Sequence, residues 1–145
     1  MAGELILIVE DNEKNRKLER DILQFHGYRT VEADNAEEGI RLAQATPPAL
    51  VLMDIQLPGM NGIEALRHLR ADPRTRTIPV IAVTASVMTQ DRQKIMAAGF
   101  DGYQAKPIEV TQFVAAVRTA VGRPQRETLR EVDAFPPPAA DGSGD

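Results

Sequence analysis

The stretch LVLMDIQLPGMNG, residues 50–62, runs four apolar residues into a carboxylate and then turns at once. Leu50, Val51, Leu52 and Met53 form a short, continuous aliphatic run, the pattern of a strand buried on both faces of a parallel sheet. Asp54 ends it, and Pro58, Gly59 and Gly62 mark a tight loop leading to a helix that Asn61 can cap. Asp54 is therefore either a turn residue or a carboxylate presented at the end of a rigid strand. The segments on either side decide between these.

Two further runs share the pattern, LILIV at 5–9 and VIAV at 80–83, while YRTVE at 28–32 and GYQA at 102–105 are weaker and read as strands nearer an edge. Helical patterns lie between them. In 13–26, Leu18, Ile22, Leu23 and Phe25 make an apolar stripe, closed by Gly27. Asn35 caps a helix through Ala45, with Ile40 and Leu42 inward and Pro47 and Pro48 as the stop. Ile63, Leu66 and Leu69 form the stripe of the helix after Asn61. Thr89 caps a fourth, closed by Gly99, and the last, about 109–121, carries Phe113, Val114 and Val117. Strands alternating with helices five times over predict an α/β fold, a doubly wound five-stranded parallel sheet. The order 2-1-3-4-5, flavodoxin-like, is favoured, with its switch point between strands 1 and 3.

The chain has 145 residues, enough for one domain with a short appendage. A formal charge of −4 and the lack of a Lys/Arg block argue against nucleic acid as a partner. With no cysteine there is no disulfide, thiolate metal site or cysteine nucleophile. No apolar run approaches the roughly 20 residues of a membrane span, and the first strand is too short for a signal-peptide core. The expectation is a soluble cytoplasmic protein. The domain is expected over 1–122, with a flexible tail over 123–145 rich in Pro, Gly and charge. Within that tail Leu129, Val132 and Phe135 fall at helical spacing over 127–135. They are either an amphipathic turn or two docking on the domain or a partner, or incidental apolar residues.

Chemistry in a parallel sheet gathers at the carboxyl ends of the strands. There strand 1 delivers Glu10 and Asp11, strand 3 Asp54, strand 4 Thr84 and strand 5 Lys106 and Pro107. Three carboxylates crowded at the switch point repel one another and need a counter-charge. Oxygen ligands with no His or Cys nearby suit Mg²⁺. Lys106 adds a point donor for phosphate and Thr84 a hydroxyl. Together these parts make an aspartyl-phosphate site with Asp54 as the nucleophile. Taken singly, each residue has a plainer reading: Glu10 and Asp11 as helix caps, Lys106 as a solvated surface lysine, Tyr103 as half-buried packing. His26 and His68 sit on no acidic cluster and read as surface or helix-end residues.

ILIVEDN, LVLMDIQLPGMNG, PVIAVTA and GYQAKPI, in that order and each at a strand end, resemble the successive signatures of bacterial response-regulator receiver domains from residue 5 to about 121. The resemblance implies that Asp54 is the phospho-acceptor, with Asp11 a direct Mg²⁺ ligand and Glu10 acting through water. It also implies that the Gln56 backbone carbonyl binds the metal and that Thr84 and Tyr103 form the switch. Lys106 would bind the phosphoryl group, with Pro107 after a cis peptide bond. Gln56 and Ser86 occupy the positions that tune dephosphorylation.

The resemblance further implies a stand-alone, single-domain response regulator that catalyses only its own phosphorylation and dephosphorylation. Its donor would be a sensor histidine kinase or histidine phosphotransfer protein docking at the first helix. Its output would be a downstream protein target reading the face of the fourth helix, fifth strand and fifth helix. The opening VEDNxxN is similar to single-domain cell-cycle regulators. Whether a homodimer forms through the fourth helix is left open. Three competing readings are weighed against this. A phosphohydrolase would want a second aspartate where Gln56 stands, a flavin carrier would face a repelling acidic switch point, and a non-phosphorylated pseudo-receiver would not need the intact residue set.

Overall fold

The computed structural model describes residues 3–85 and 89–122, the side chain of Thr89 excepted. The tail of 123–145, with its apolar spacing at 127–135, and Ser86 lie outside the described residues.

The chain alternates β1 (Leu5–Val9), α1 (Glu13–Phe25), β2 (Arg29–Ala33), α2 (Ala36–Ala45), β3 (Leu50–Asp54), α3 (Gly62–Ala71), β4 (Val80–Thr84), α4 (Thr89–Ala97), β5 (Gly102–Ala105) and α5 (Val110–Gly122). All strand pairs are parallel, in the order β2-β1-β3-β4-β5. Every residue of β3 and β4 is buried, as their continuous aliphatic runs require, whereas the edge strands β2 and β5 are mixed. Each fully buried Val, Leu or Ile contributes about 1.5–3 kcal/mol of transfer free energy, so the central strands supply much of the burial that holds the described core together.

Two cores cover the sheet. On one face Leu7, Val51, Met53 and Ala82 pack under α2, α3 and α4; on the other Ile6, Ile8, Leu52, Ile81 and Val83 pack under α1 and α5 through Leu23, Phe113 and Val117. Two of the three predicted N-caps hold. Asn35 accepts from the Glu38 amide at 2.8 Å, and Asn61 and Glu64 form a reciprocal capping box. Thr89, expected as a cap, is already the first residue of α4.

The first helix corrects its predicted stripe. Leu23 is buried, but Phe25 is 85% exposed and Leu18 42%, while Glu19 takes the inward position at 1% exposure. The phase of α1 is set at its start, where the Asn12 side chain accepts from the Asn15 amide at 3.0 Å. That rotation places residues 19 and 23, one turn apart, against the sheet.

Candidate functional site

The site is built where three central strands stop. Parallel register sets Val9 opposite Met53 and Asp54 opposite Val83, so the residue after Val9, Glu10, reaches the same level as Asp54. Thr84 ends β4 opposite Ala105, and its carbonyl accepts from the Lys106 amide at 2.8 Å. Lys106 is thereby tied to the end of the neighbouring strand and turns inward before Pro107, across a cis peptide bond. All of this converges as the sequence predicted.

Glu10, Asp11 and Asp54 offer carboxylate oxygens lying within 4.8 Å of one another. Glu10 is 1% exposed and Asp54 3%, while Asp11 stands at the mouth, open to solvent. The Lys106 ammonium bridges the two buried carboxylates, 2.8 Å from Glu10 Oε1 and 3.2 Å from Asp54 Oδ2. Lys106 is the one cation that reaches Glu10 Oε1, a buried oxygen, among the described residues. Glu10 Oε2 accepts from the Asn12 amide at 3.1 Å, and Asp54 Oδ1 from the Gln56 amide at 3.0 Å. An all-oxygen donor set of three carboxylates, with a single lysine as counter-charge, fits a hard divalent cation.

The electrostatics follow from burial. Desolvation raises the Glu10 carboxyl above the ordinary range and the nearby Asp54 charge adds to this, against the lowering effect of Lys106 and the Asn12 amide. For Lys106 burial works against the charge, but the ion pairs with Glu10 and Asp54 outweigh it and the ammonium is held above its usual range. One cation thus serves two buried carboxylates, with Asp11 as a third acid at the rim.

The loop of the opening motif is fitted to this site. Gly59 has φ of 75°, a backbone state that favours glycine. Gly62 begins α3 so close to the end of β3 that an added Cβ would lie 2.5 Å from the Asp54 carbonyl oxygen. Glycine is what lets the strand end and the next helix meet.

Thr84 is fully buried beside the cluster, and Ala85 beyond it is exposed. Tyr103 lies on β5, half-buried against the core of the α4 side, with the Arg92 guanidinium 5.4 Å over its ring. Gln56 is exposed.

Two contributors were not legible in the sequence. Arg16 of α1 donates from Nη1 to the Glu10 carbonyl at 3.0 Å. Glu19, beneath the cluster, has a buried Oε2 with no hydrogen-bond partner. Its carboxyl is pushed up to about 8, first by burial and then by repulsion from Glu10 and Asp54, with Lys106 opposing. The signal available was only that residue 19 lies one turn before Leu23, on the inward face once the helix phase is known.

Comparison with known proteins agrees with the geometry. Residues 6–118 match the response regulator receiver domain family. The chain is 44% identical over 117 residues to the polar-differentiation response regulator DivK of Brucella anthropi, covering 81% of this chain and 95% of that protein. It is 43% identical over the same length to DivK of Brucella ovis, again covering 81% and 95%. Among solved structures, the receiver domain of a sensor histidine kinase from Pseudomonas aeruginosa superposes with a TM-score of 0.78 at 33% identity. It covers 84% of this chain and all of that one, and it carries a magnesium ion in its active-site cleft. A response regulator from Chloroflexus aurantiacus gives 0.80 at 27% identity, covering 83% and 99%. With its strand order, its acidic cluster and its bridging lysine, the chain belongs to the response regulator receiver domain family.

Proposed function

We propose that the protein is a phosphorylation-driven response regulator in which Asp54 accepts a phosphoryl group from a phosphohistidine donor. The observation that carries this reading is Lys106, whose ammonium lies between the buried Glu10 and Asp54 carboxylates next to the exposed Asp11.

In the transfer an Asp54 carboxylate oxygen attacks phosphorus, the new P–O bond forms as the P–N bond to the donor imidazole breaks, and the imidazole leaves with its electron pair. The Gln56 amide, donating to Asp54 Oδ1, fixes the plane of the nucleophile. Lys106 exchanges a carboxylate contact for a phosphoryl oxygen, and the Thr84 hydroxyl donates to another. Most of the catalysis in such transfers is positioning and charge stabilisation. A magnesium ion held by Asp11, Asp54 and the Gln56 carbonyl, with Glu10 acting through water, would neutralise charge on the phosphoryl oxygens.

Drawing Thr84 toward the phosphoryl group opens space that Tyr103 follows. This re-surfaces the face of α4, β5 and α5 for a downstream protein by shifting the balance of two pre-existing states. The chain acts on no separate substrate; it catalyses only its own phosphorylation and dephosphorylation. Among the described residues no helix is long and apolar enough to cross a membrane, and we place the protein in the cytoplasm with its donor.

Incubation with a small acyl phosphate and Mg²⁺, followed by intact-mass measurement, tests the reading. One hydroxylamine-sensitive phosphoryl group is expected on the wild type and none on Asp54→Asn; equal labelling of both proteins would overturn it.

A further inference from the structure

We propose that Arg16 is a positioning residue for the cation pocket, fixing the Glu10–Asp11 backbone from which the Asp11 carboxylate projects. The proposal rests on the reading of that pocket as a magnesium site.

The backbone around Asp11 is pinned on both sides. The Glu10 amide donates to the Ala33 carbonyl at 3.0 Å, the last rung between β1 and β2. The Glu10 carbonyl lies beyond the sheet, and its partner is a side chain: Arg16 Nη1 at 3.0 Å. After Asp11, the Asn12 amide is held by Glu10 Oε2 at 3.1 Å. Asp11 itself is exposed, and among the described residues no side chain donates to its carboxylate. Its direction is therefore inherited from the backbone that these three contacts fix.

Arg16 is in turn anchored. Its Nε pairs with Glu32 Oε1 on β2 at 3.2 Å, and Arg20 Nη1 holds the other Glu32 oxygen at 2.9 Å. The two partners of the fork are only 20% and 23% exposed. A guanidinium reaches the Glu10 carbonyl and Glu32 at once because its donors diverge from one rigid plane; a lysine, with one point donor, does not.

Charge and position act in opposite directions here, which makes the role testable. A cation close to a divalent-metal pocket repels the metal, so by Coulomb's law alone loss of Arg16 would tighten Mg²⁺ binding. If Arg16 orients the ligand backbone, its loss weakens binding, and removal of such supporting contacts lowers metal affinity roughly 10–100-fold.

Calorimetry of Mg²⁺ binding to the full chain, beside thermal unfolding, separates these. Arg16→Met is expected to bind Mg²⁺ at least roughly 10-fold more weakly. Arg16→Lys, which keeps the charge but loses the planar fork, is expected to bind Mg²⁺ about as weakly as Arg16→Met, and it decides the matter if Arg16→Met does not fold. Binding by these variants as tight as or tighter than wild type, with or without a fall in melting temperature, overturns the proposal. A wild-type chain that binds no Mg²⁺ overturns the metal-site reading itself, and the proposal with it.

Discussion

Glu19 makes the stability of this domain depend on pH in a direction opposite to that of most paired carboxylates. Its side chain is 1% exposed, and Oε2 is buried without a hydrogen-bond partner. Folding holds its carboxyl up at about 8, against an ordinary value of 4.5. Below the lower value the proton is bound in both states and the contribution to stability is fully present. As pH rises through the window the unfolded chain releases the proton and the folded chain keeps it, so stability falls until the folded group ionises near 8. At about 1.36 kcal/mol per pH unit, the window corresponds to a loss approaching ~5 kcal/mol, large beside the ~5–15 kcal/mol total of a typical domain.

Glu19→Gln has nothing to titrate and lacks this slope. Glu19→Leu also replaces an orphaned buried polar atom, which contributes about 1–3 kcal/mol at every pH. Urea unfolding of the three proteins at about pH 5, 6.5 and 8 measures the effect, with m-values compared to confirm the same transition. The stability gap between Glu19→Gln and wild type is predicted to widen steadily with pH. A gap that stays flat would mean that Glu19 is already ionised in the folded protein, and the reasoning from burial would fail.

Two more perturbations probe the site from other sides. Lys106→Met leaves Glu10 and Asp54 as buried carboxylates without their bridging cation; removing one member of such a cluster is expected to destabilise by about 3–5 kcal/mol. Added Mg²⁺ should then raise the melting temperature of the variant more than that of wild type; equal shifts would argue against a shared pocket. Gly62→Ala forces a Cβ to 2.5 Å from the Asp54 carbonyl oxygen, so a loss of about 1–3 kcal/mol and slower labelling by acyl phosphate are expected. Neutral behaviour in thermal unfolding would show that the strand end yields easily.

The parts of the fold that were legible share a cause. Apart from Leu5 at the start of β1, the strands Leu5–Val9, Leu50–Asp54 and Val80–Thr84 are buried on both faces, so their sequences are largely aliphatic without alternation and name themselves. Asn35 and Asn61 announce helix starts because a capping side chain is a local device. The convergence of Glu10, Asp11, Asp54 and Lys106 was readable because strand ends deliver them, and parallel register brings strand ends together whatever the intervening helices contain.

What escaped depends on phase and on distance along the chain. The stripe of Leu18, Ile22, Leu23 and Phe25 assumed that apolar residues face inward; instead Phe25 lies almost wholly in solvent and a carboxylate is buried in the helix's inner row. Periodicity gives the width of a stripe but fixes its rotation only loosely, and here the Asn12 cap and the Arg16 fork fix it. Arg16 and Glu32 are 16 positions apart, and nothing local links them.

The central claim is that Asp54 carries the phosphoryl group. Borohydride reduction converts an aspartyl phosphate to homoserine, so peptide mapping after labelling with acyl phosphate and Mg²⁺ reads the acceptor directly. The account predicts homoserine at position 54 and unmodified aspartate at position 11; homoserine elsewhere with Asp54 intact, or no reducible acyl group at all, would contradict it.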